Sequence, residues 1–406
     1  MWNDFKCGKK VAYAFVVCFV ITILIFLFFD SNPKGDFAIA KSSEDELEEE
    51  FSKNVDSILS DIDSNELDDY LTNEFGLDFF DAKTFKDLVV KILNGEYFSE
   101  YDSLLDLLIN LVKSGLKDLI RMFFIFIVII ILFELFKNLY ADKFVDIKKI
   151  VKIVFMSIAI ILLLQIFKTL SNELKDVVQK IFSFSKALFP ILLSLILMSG
   201  SVGSHSVYNS LFIFLINTGS YVFTYFLMPL ATAIFVLTLA NSLSSDKRLS
   251  KVIDLFKAIF KYVVIIFFSI FGLFSSINLI TSGVKDGVSL RLTKYAIKNY
   301  IPIIGGYVSQ GFDFIHSCSI VIKNAFGVCG ILILILIVIK PVIIYVVYQF
   351  FFKILSTISG LVGNGFYSDL FSNISKALTY FLIVLVGLFF LMFVFLYLLI
   401  ISISVV

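Results

Sequence analysis

The stretch LTYFLIVLVGLFFLMFVFLYLLII, residues 378–401, carries no charged side chain, and its reading decides the class of fold. Crossing the hydrocarbon core of a bilayer takes a helix of about 20 apolar residues at about 1.5 Å each. A helix on a soluble core would keep one polar face instead. Toward the N-terminus similar runs recur at 327–352, at 262–280, across a compressed region at 187–240, at 150–170 and at 119–136. Composition agrees with this reading. Of 406 residues 59% are apolar and 17% charged, with a mean hydropathy of +0.94, where soluble domains sit near about half and about a quarter. The chain therefore reads as an all-α, polytopic membrane protein, and a soluble enzyme is excluded. Lys plus Arg and Asp plus Glu both number 34, so no overall basic field is available for nucleic acid.

The polar segments between the runs set the orientation. Lys137, Lys143, Lys148 and Lys149 lie in one linker, and Lys247, Arg248, Lys251, Lys257 and Lys261 in another. Basic loops stay in the cytoplasm, so 187–240 must cross an odd number of times, once or three. Pro229 and the polar stretch 199–206 leave both counts open, and the total comes to about seven to nine spans. At the N-terminus Lys6, Lys9 and Lys10 precede an apolar run at 11–29, and Ala38-Ile39-Ala40 follows. Residues 1–40 are thus a cleaved signal peptide or a retained anchor helix. Either way residues 41–118 are sent out of the cytoplasm, ahead of a multi-pass domain at 119–406.

That outer segment opens with Glu44, Asp45, Glu46, Glu48, Glu49 and Glu50. Apolar residues recur in it at helical spacing, as at Phe51, Val55, Ile58, Leu59 and Ile62 and again at Leu104, Leu105, Leu108, Ile109 and Val112. A small helical exocytoplasmic domain is expected. Its carboxylates lack the ligand rhythm and turn glycine of a calcium loop and read as a solvated face. Cys7, Cys18, Cys318 and Cys329 form no CxxC pair, so no zinc site or disulfide framework follows.

Chemistry, if any, belongs to the Gly-rich and moderately basic stretch 281–330. Arg291, Lys294 and Lys298 share a helical face opposite Leu292, Ala296 and Tyr300, which predicts an interfacial helix. Pro302 and Gly305-Gly306 then break it. Asp313 and His316, three apart, would share a face and pair, giving a candidate pore or ion path if this segment enters the membrane. An internal repeat, 189–300 against 301–406, is also indicated. Pro190 and Pro229 recur at Pro302 and Pro341 with the same offset, and each interval holds a serine-rich patch with a histidine, at Ser204-His205-Ser206 and at His316-Ser317-Cys318-Ser319. Repeats with broken helices build sites in secondary transporters. No nucleophile elbow, HExxH, P-loop or histidine pair is present, so no catalytic, cofactor or metal residues are assigned. A stand-alone transporter of a small solute or ion is one functional class that fits.

A second class comes from a resemblance. The run Asp286-Gly287-Val288-Ser289-Leu290-Arg291-Leu292-Thr293-Lys294-Tyr295 leads to Pro302-Ile303-Ile304-Gly305, Lys323-Asn324-Ala325-Phe326-Gly327 and Pro341. Behind a signal and an acidic outer segment, this pattern resembles the stage III sporulation protein AE family of endospore-forming Firmicutes. The preference for lysine over arginine, with abundant Phe and Ile, suits a clostridial member. The resemblance implies a component of a transenvelope channel or secretion-like complex in the mother-cell membrane around the forespore. Its implied partners are the other stage III A operon proteins and a forespore membrane protein, with a homo-oligomer also open. The resemblance carries over no catalytic residues. Asp286, Gly287, Arg291, Lys294, Pro302, Gly305, Lys323, Asn324, Gly327 and Pro341 enter as a signature without assigned roles.

Overall fold

The computed structural model describes residues 57–59, 62–74, 84–93, 119–136, 139, 145–243, 248–300, 305–363 and 365–401. Side chains are described for these except at 145–149, 243, 278–300 and 305–315. The N-terminal run 11–29, the acidic opening at 44–50, the amphipathic stretch 104–112 and Pro302 lie outside the described residues. Among the described residues there is no β-strand, and six helices are long and apolar enough to cross a membrane.

Two short helices come first, α1 (Asn65–Glu74) and α2 (Phe85–Leu93). Local polar contacts start both. Ser64 Oγ donates to Asp68 Oδ2 at 2.8 Å. At α2, Thr84 N–H donates to Asp87 Oδ2 (3.0 Å) and Asp87 N–H to Thr84 Oγ1 (3.2 Å), a reciprocal cap that satisfies two otherwise orphaned donors. Asp68 Oδ1 also accepts from Phe85 N–H, tying the start of α2 to α1.

The long helices follow: α3 (Leu119–Phe136), α4 (Val145–Met198), α5 (Val202–Phe214), α6 (Met228–Leu243), α7 (Ser250–Tyr300), α8 (Gly305–Leu361) and α9 (Gly365–Ile401). Between α5 and α6 the chain stays helical through two wider π-helical segments, Leu215–Gly219 and Val222–Leu227. The second leads directly into Pro229. A proline ring clashes with the carbonyl four residues back and offers no N–H, so a widened turn ahead of it relieves both problems. The helix runs on without a second hairpin, so 187–240 contains one turn, at Ser199–Ser201, and one returning helix.

Continuity is where the structure differs most from the hydropathy profile. The runs 150–170 and 187–198 are not separate helices. They are two parts of α4, which at 54 residues is about 80 Å long. The polar stretch between them, with Glu173, Lys175, Asp176, Gln179 and Lys180, contains no Gly or Pro. Its apolar residues also keep helical register, since Leu163, Ile166, Leu170, Leu174, Val177, Ile181, Phe184 and Leu188 are all buried on one side. Likewise α7 passes through 281–300 without a break, so the expected interfacial helix is the far end of a 51-residue helix.

The helix α9 forms the centre. It packs along α8 for most of its length and touches α6 and α4, while α7 pairs with α5 and α6. Aromatic rings fill the layers: Phe167 stacks on Phe235 at 4.6 Å, Phe189 meets Phe395 at 4.7 Å, and Phe126 of α3 meets Phe371 at 5.4 Å. Sharp reversals need glycine. Gly200 (φ 79°) turns α4 into α5, and Gly363 (φ 88°) turns α8 into α9, in a backbone region that side-chain-bearing residues rarely adopt.

Candidate functional site

One face of α8 gathers the residues that the sequence singled out. His316, Ser319, Lys323, Gly327 and Gly330 follow one another at three- or four-residue spacing, so a single stripe carries them all. Its first member meets the α4–α5 turn. His316 Nδ1 lies 2.6 Å from the carbonyl oxygen of Ser199. A carbonyl only accepts, so Nδ1 carries the proton. Ser199 Oγ itself donates to the Ile196 carbonyl at 2.7 Å and sits 3.3 Å from Ser201 Oγ. Sequence flanking the two histidine-bearing patches thus meets in space, joined through Ser199 rather than through His205.

The third member, Lys323, is fully buried. Its Nζ donates to the carbonyls of Leu399 (2.9 Å) and Ile400 (2.8 Å), at the end of α9. The last turn of a helix leaves its carbonyls without intrahelical donors and carries a partial negative charge. In an apolar surrounding a lysine there answers both needs, and its own ammonium is compensated by the helix end. Below it the stripe narrows to glycine. A Cβ on Gly327 would stand 2.4 Å from Ile400 Cγ1, and one on Gly330 would stand 2.4 Å from Leu188 Cδ2. These two positions let α9 and α4 approach α8 closely, as small residues do between membrane helices. Lys323 and Gly327 therefore act together: one holds the end of α9 and the other makes room for it. Among the described residues, Ser319 Oγ and Asn324 Oδ1 are buried here without a hydrogen-bond partner.

The same segment also receives the outer helices, beside this stripe. Phe326 packs edge-on against Phe85 of α2 at 5.2 Å, both fully buried. Nearby, α1 is clasped to α4. Lys180 Nζ bridges Glu74 (2.6 Å) and Asp176 (3.1 Å), Tyr70 OH donates to the Lys180 carbonyl at 3.2 Å, and the Tyr70 ring lies 5.7 Å from that of Phe184. Burial, reinforced by the carboxylates of Glu74 and Asp176, pushes the Tyr70 phenol well above its ordinary range.

Other sequence candidates are dispersed. Asp286, Gly287, Arg291 and Lys294 lie on the far part of α7 and Gly305 and Asp313 on the first turns of α8, with side chains outside the described set, as is the expected Asp313–His316 pair. Pro190 and Pro341 sit inside α4 and α8. Reading the sequence missed the Ser199 turn, the close approach at Gly330 and the Lys180 clasp. The signals that could have found them were the polar stretch 199–206, which contains the turn, and Gly330, three residues after the signature glycine Gly327. Among the described residues no cluster of His, Cys, Asp and Glu could hold a metal ion.

No solved structure matches the chain. A curated relative, stage III sporulation protein AE of Bacillus subtilis (strain 168), is 28% identical over 209 residues, covering 52% of each chain. The match thus spans about half the length of that relative. The family model described as stage III sporulation protein AE matches residues 83–404, which include α2 and all the long helices with the Lys323–Gly327 clasp. The chain belongs to the stage III sporulation protein AE family.

Proposed function

We propose that this chain is a membrane subunit of the channel or secretion-like complex that joins mother cell and forespore, needed for forespore development after engulfment. In this reading it lies in the mother-cell membrane with residues 41–118 in the space between the two membranes. Other stage III A operon proteins and a forespore membrane protein are its partners. The observation that carries the reading is family membership across residues 83–404, which implies a role in sporulation. The geometry supports the orientation. The basic linker 137–149 lies at one end of the apolar stretch 150–170, and α1 is clasped to α4 just beyond its other end, at Asp176 and Lys180. That order fits the proposed arrangement, with positive charge inside and the acidic α1 outside.

Deleting the gene and following a late forespore reporter by microscopy tests the reading. Normal growth with engulfed forespores that stall or shrink is the expected outcome. Completed sporulation together with a nutrient or ion phenotype in growing cells would instead favour the stand-alone transporter. That runner-up relies on Asp313 and His316, and His316 already spends Nδ1 on anchoring the Ser199 turn.

A further inference from the structure

One exposed stripe runs along α4 at steps of three or four residues, and its character changes partway. Ile150, Val154, Ile158, Ile161 and Leu164 are exposed and apolar. Further along the same stripe Lys168, Asn172, Lys175, Gln179 and Lys186 are exposed and polar. The exposed side of α7 changes in the opposite sense. Arg248, Lys251, Asp254 and Lys261 stand at its start, interleaved with Val252, Leu255 and Ile259, a mixture suited to the headgroup layer. From Tyr262 to Ile277 no charged residue follows, and Ile265, Ile266, Ile270 and Leu273 are exposed. The two changes fall at one height. Phe381 of α9 meets Phe167 of α4 at 6.2 Å, and its neighbour Tyr380 meets Phe260 of α7 at 5.1 Å. Higher up the helices are matched again, since a Cβ on Gly219 would have Phe182 of α4 at 3.8 Å and Phe267 of α7 at 3.7 Å.

Below the first of these heights α3 widens the apolar band of α4, which it meets through Phe133 and Phe155 at 5.9 Å. With 18 residues it is about 27 Å tall, close to one hydrocarbon thickness. Above that height the α7 band, Tyr262–Ile277, adds about 24 Å. The bands lie on different sides of the bundle, because α4 and α7 both pack on α5 and make no extended contact with each other among the described residues. A bilayer square to the helices covers only one of them. Seated on α3 and α4, it puts Lys251 at hydrocarbon depth; seated on α7, it puts Lys168, Lys175 and Lys186 there. Exposed charges at that depth are costly. We propose that the bilayer meets the bundle on a slant, so that the lipid-contacting belt lies low on α3 and α4 and high on α7. Membrane helices lean by about 0–40°, and the offset of the bands puts this bundle at the steep end. Both basic segments, Lys148 to Lys152 and Arg248 to Lys261, then stand at the cytoplasmic edge of their own band. At the height of Phe381, outer water reaches α4 while cytoplasmic water reaches α7. What separates them there is the aromatic layer of Phe167, Phe235 and Phe381 rather than lipid.

Spin labels on single added cysteines test the slant in the full chain, reconstituted into phosphatidylethanolamine–phosphatidylglycerol liposomes, with the signal of the parent chain subtracted. Each label is read by collision with oxygen, which concentrates in lipid, and with a water-soluble nickel chelate. Two pairs of positions share a height, Ile158→Cys with Lys251→Cys and Lys186→Cys with Ile270→Cys. Oxygen should dominate at Ile158 and Ile270 and the chelate at Lys251 and Lys186, so the collision ratio inverts severalfold within each pair. Lipid-like ratios at both members of a pair would mean a square bilayer and overturn the proposal. So would chelate access at Ile158 or Ile270, or shielding of either from both reagents, which would show protein covering that band. A second measurement works in native membranes without purification. An impermeant maleimide should label Lys186→Cys from the outer side and Lys251→Cys from the cytoplasmic side. Labelling of both from one side would also overturn the slant.

Discussion

At the residue scale the clasp on α9 rests on a lysine and two glycines, and each gives a distinct expectation. Lys323→Met keeps the apolar stem but removes the ammonium from which the Leu399 and Ile400 carbonyls accept. A loss of about 1–3 kcal/mol is expected, read as a lower unfolding temperature of the detergent-purified chain. Gly327→Ala pushes a methyl into Ile400, a branched side chain with little freedom to yield, and should cost about 1–3 kcal/mol. At Gly330 the obstacle is the far end of Leu188, which can rotate, so Gly330→Ala should cost less. Gly387 supplies the control. A Cβ there would find ordinary contacts at 3.6 Å and beyond, so Gly387→Ala should be neutral or stabilising by up to about 1 kcal/mol through helix propensity. If the alanines at 327 and 387 behaved alike, close approach would not be what Gly327 provides.

At the scale of elements, the outer helices are held to the bundle by contacts of unequal weight. The Lys180 bridges are partly exposed and worth about 0–1 kcal/mol. The fully buried Phe85 side chain against Phe326 is the main anchor. Phe85→Ala should cost about 3 kcal/mol or more and expose α2 to limited proteolysis, whereas Lys180→Ala should change cleavage little. Tyr70 adds a dependence on pH. Its folded-state proton affinity is raised by burial and by Glu74 and Asp176, so the docked form holds the proton more tightly than the free form. The stabilisation is complete below the free phenol's range near about 10 and falls as pH rises above it. Docking of α1 should loosen under alkaline conditions in the parent chain, and Tyr70→Phe should remove that dependence. An identical alkaline profile in both would show that Tyr70 is not the titrating group.

For the whole molecule, the length of the helices matters most. Helices of 54, 51 and 57 residues reach about 75–85 Å, far more than one hydrocarbon layer. Helices α1 and α2 dock on α4 and α8, and the signature segment of α8 holds α9. Phe326 faces the outer helices and Lys323 faces the end of α9 from a single turn of α8. Displacing the outer helices should therefore be felt at the clasp. Combining Phe85→Ala with Lys323→Met in a double-mutant cycle is expected to give a non-additive loss of stability of about 0.5 kcal/mol or more, as neighbouring sites do. Strict additivity would mean that the two contacts act independently.

Much of the architecture was legible in the chain alone. Residues 378–401 and 119–136 could only be helices in an apolar medium, because no other backbone arrangement of that length satisfies its own hydrogen bonds there. The signature Lys323–Gly327 could be picked out as a unit. What it does was not legible, because a lysine in an apolar run has no sequence mark for its acceptors. Those acceptors are carbonyls 76 and 77 residues away, available only because α9 ends opposite α8. The same holds for helix continuity. Hydropathy divides α4 at its charged stretch, yet hydrogen bonding along the backbone is indifferent to side-chain polarity, and packing on α8 and α1 keeps the helix whole. Local pattern specified which segments are helical and apolar. Packing between distant segments specified where those helices begin and end, and which polar groups find each other.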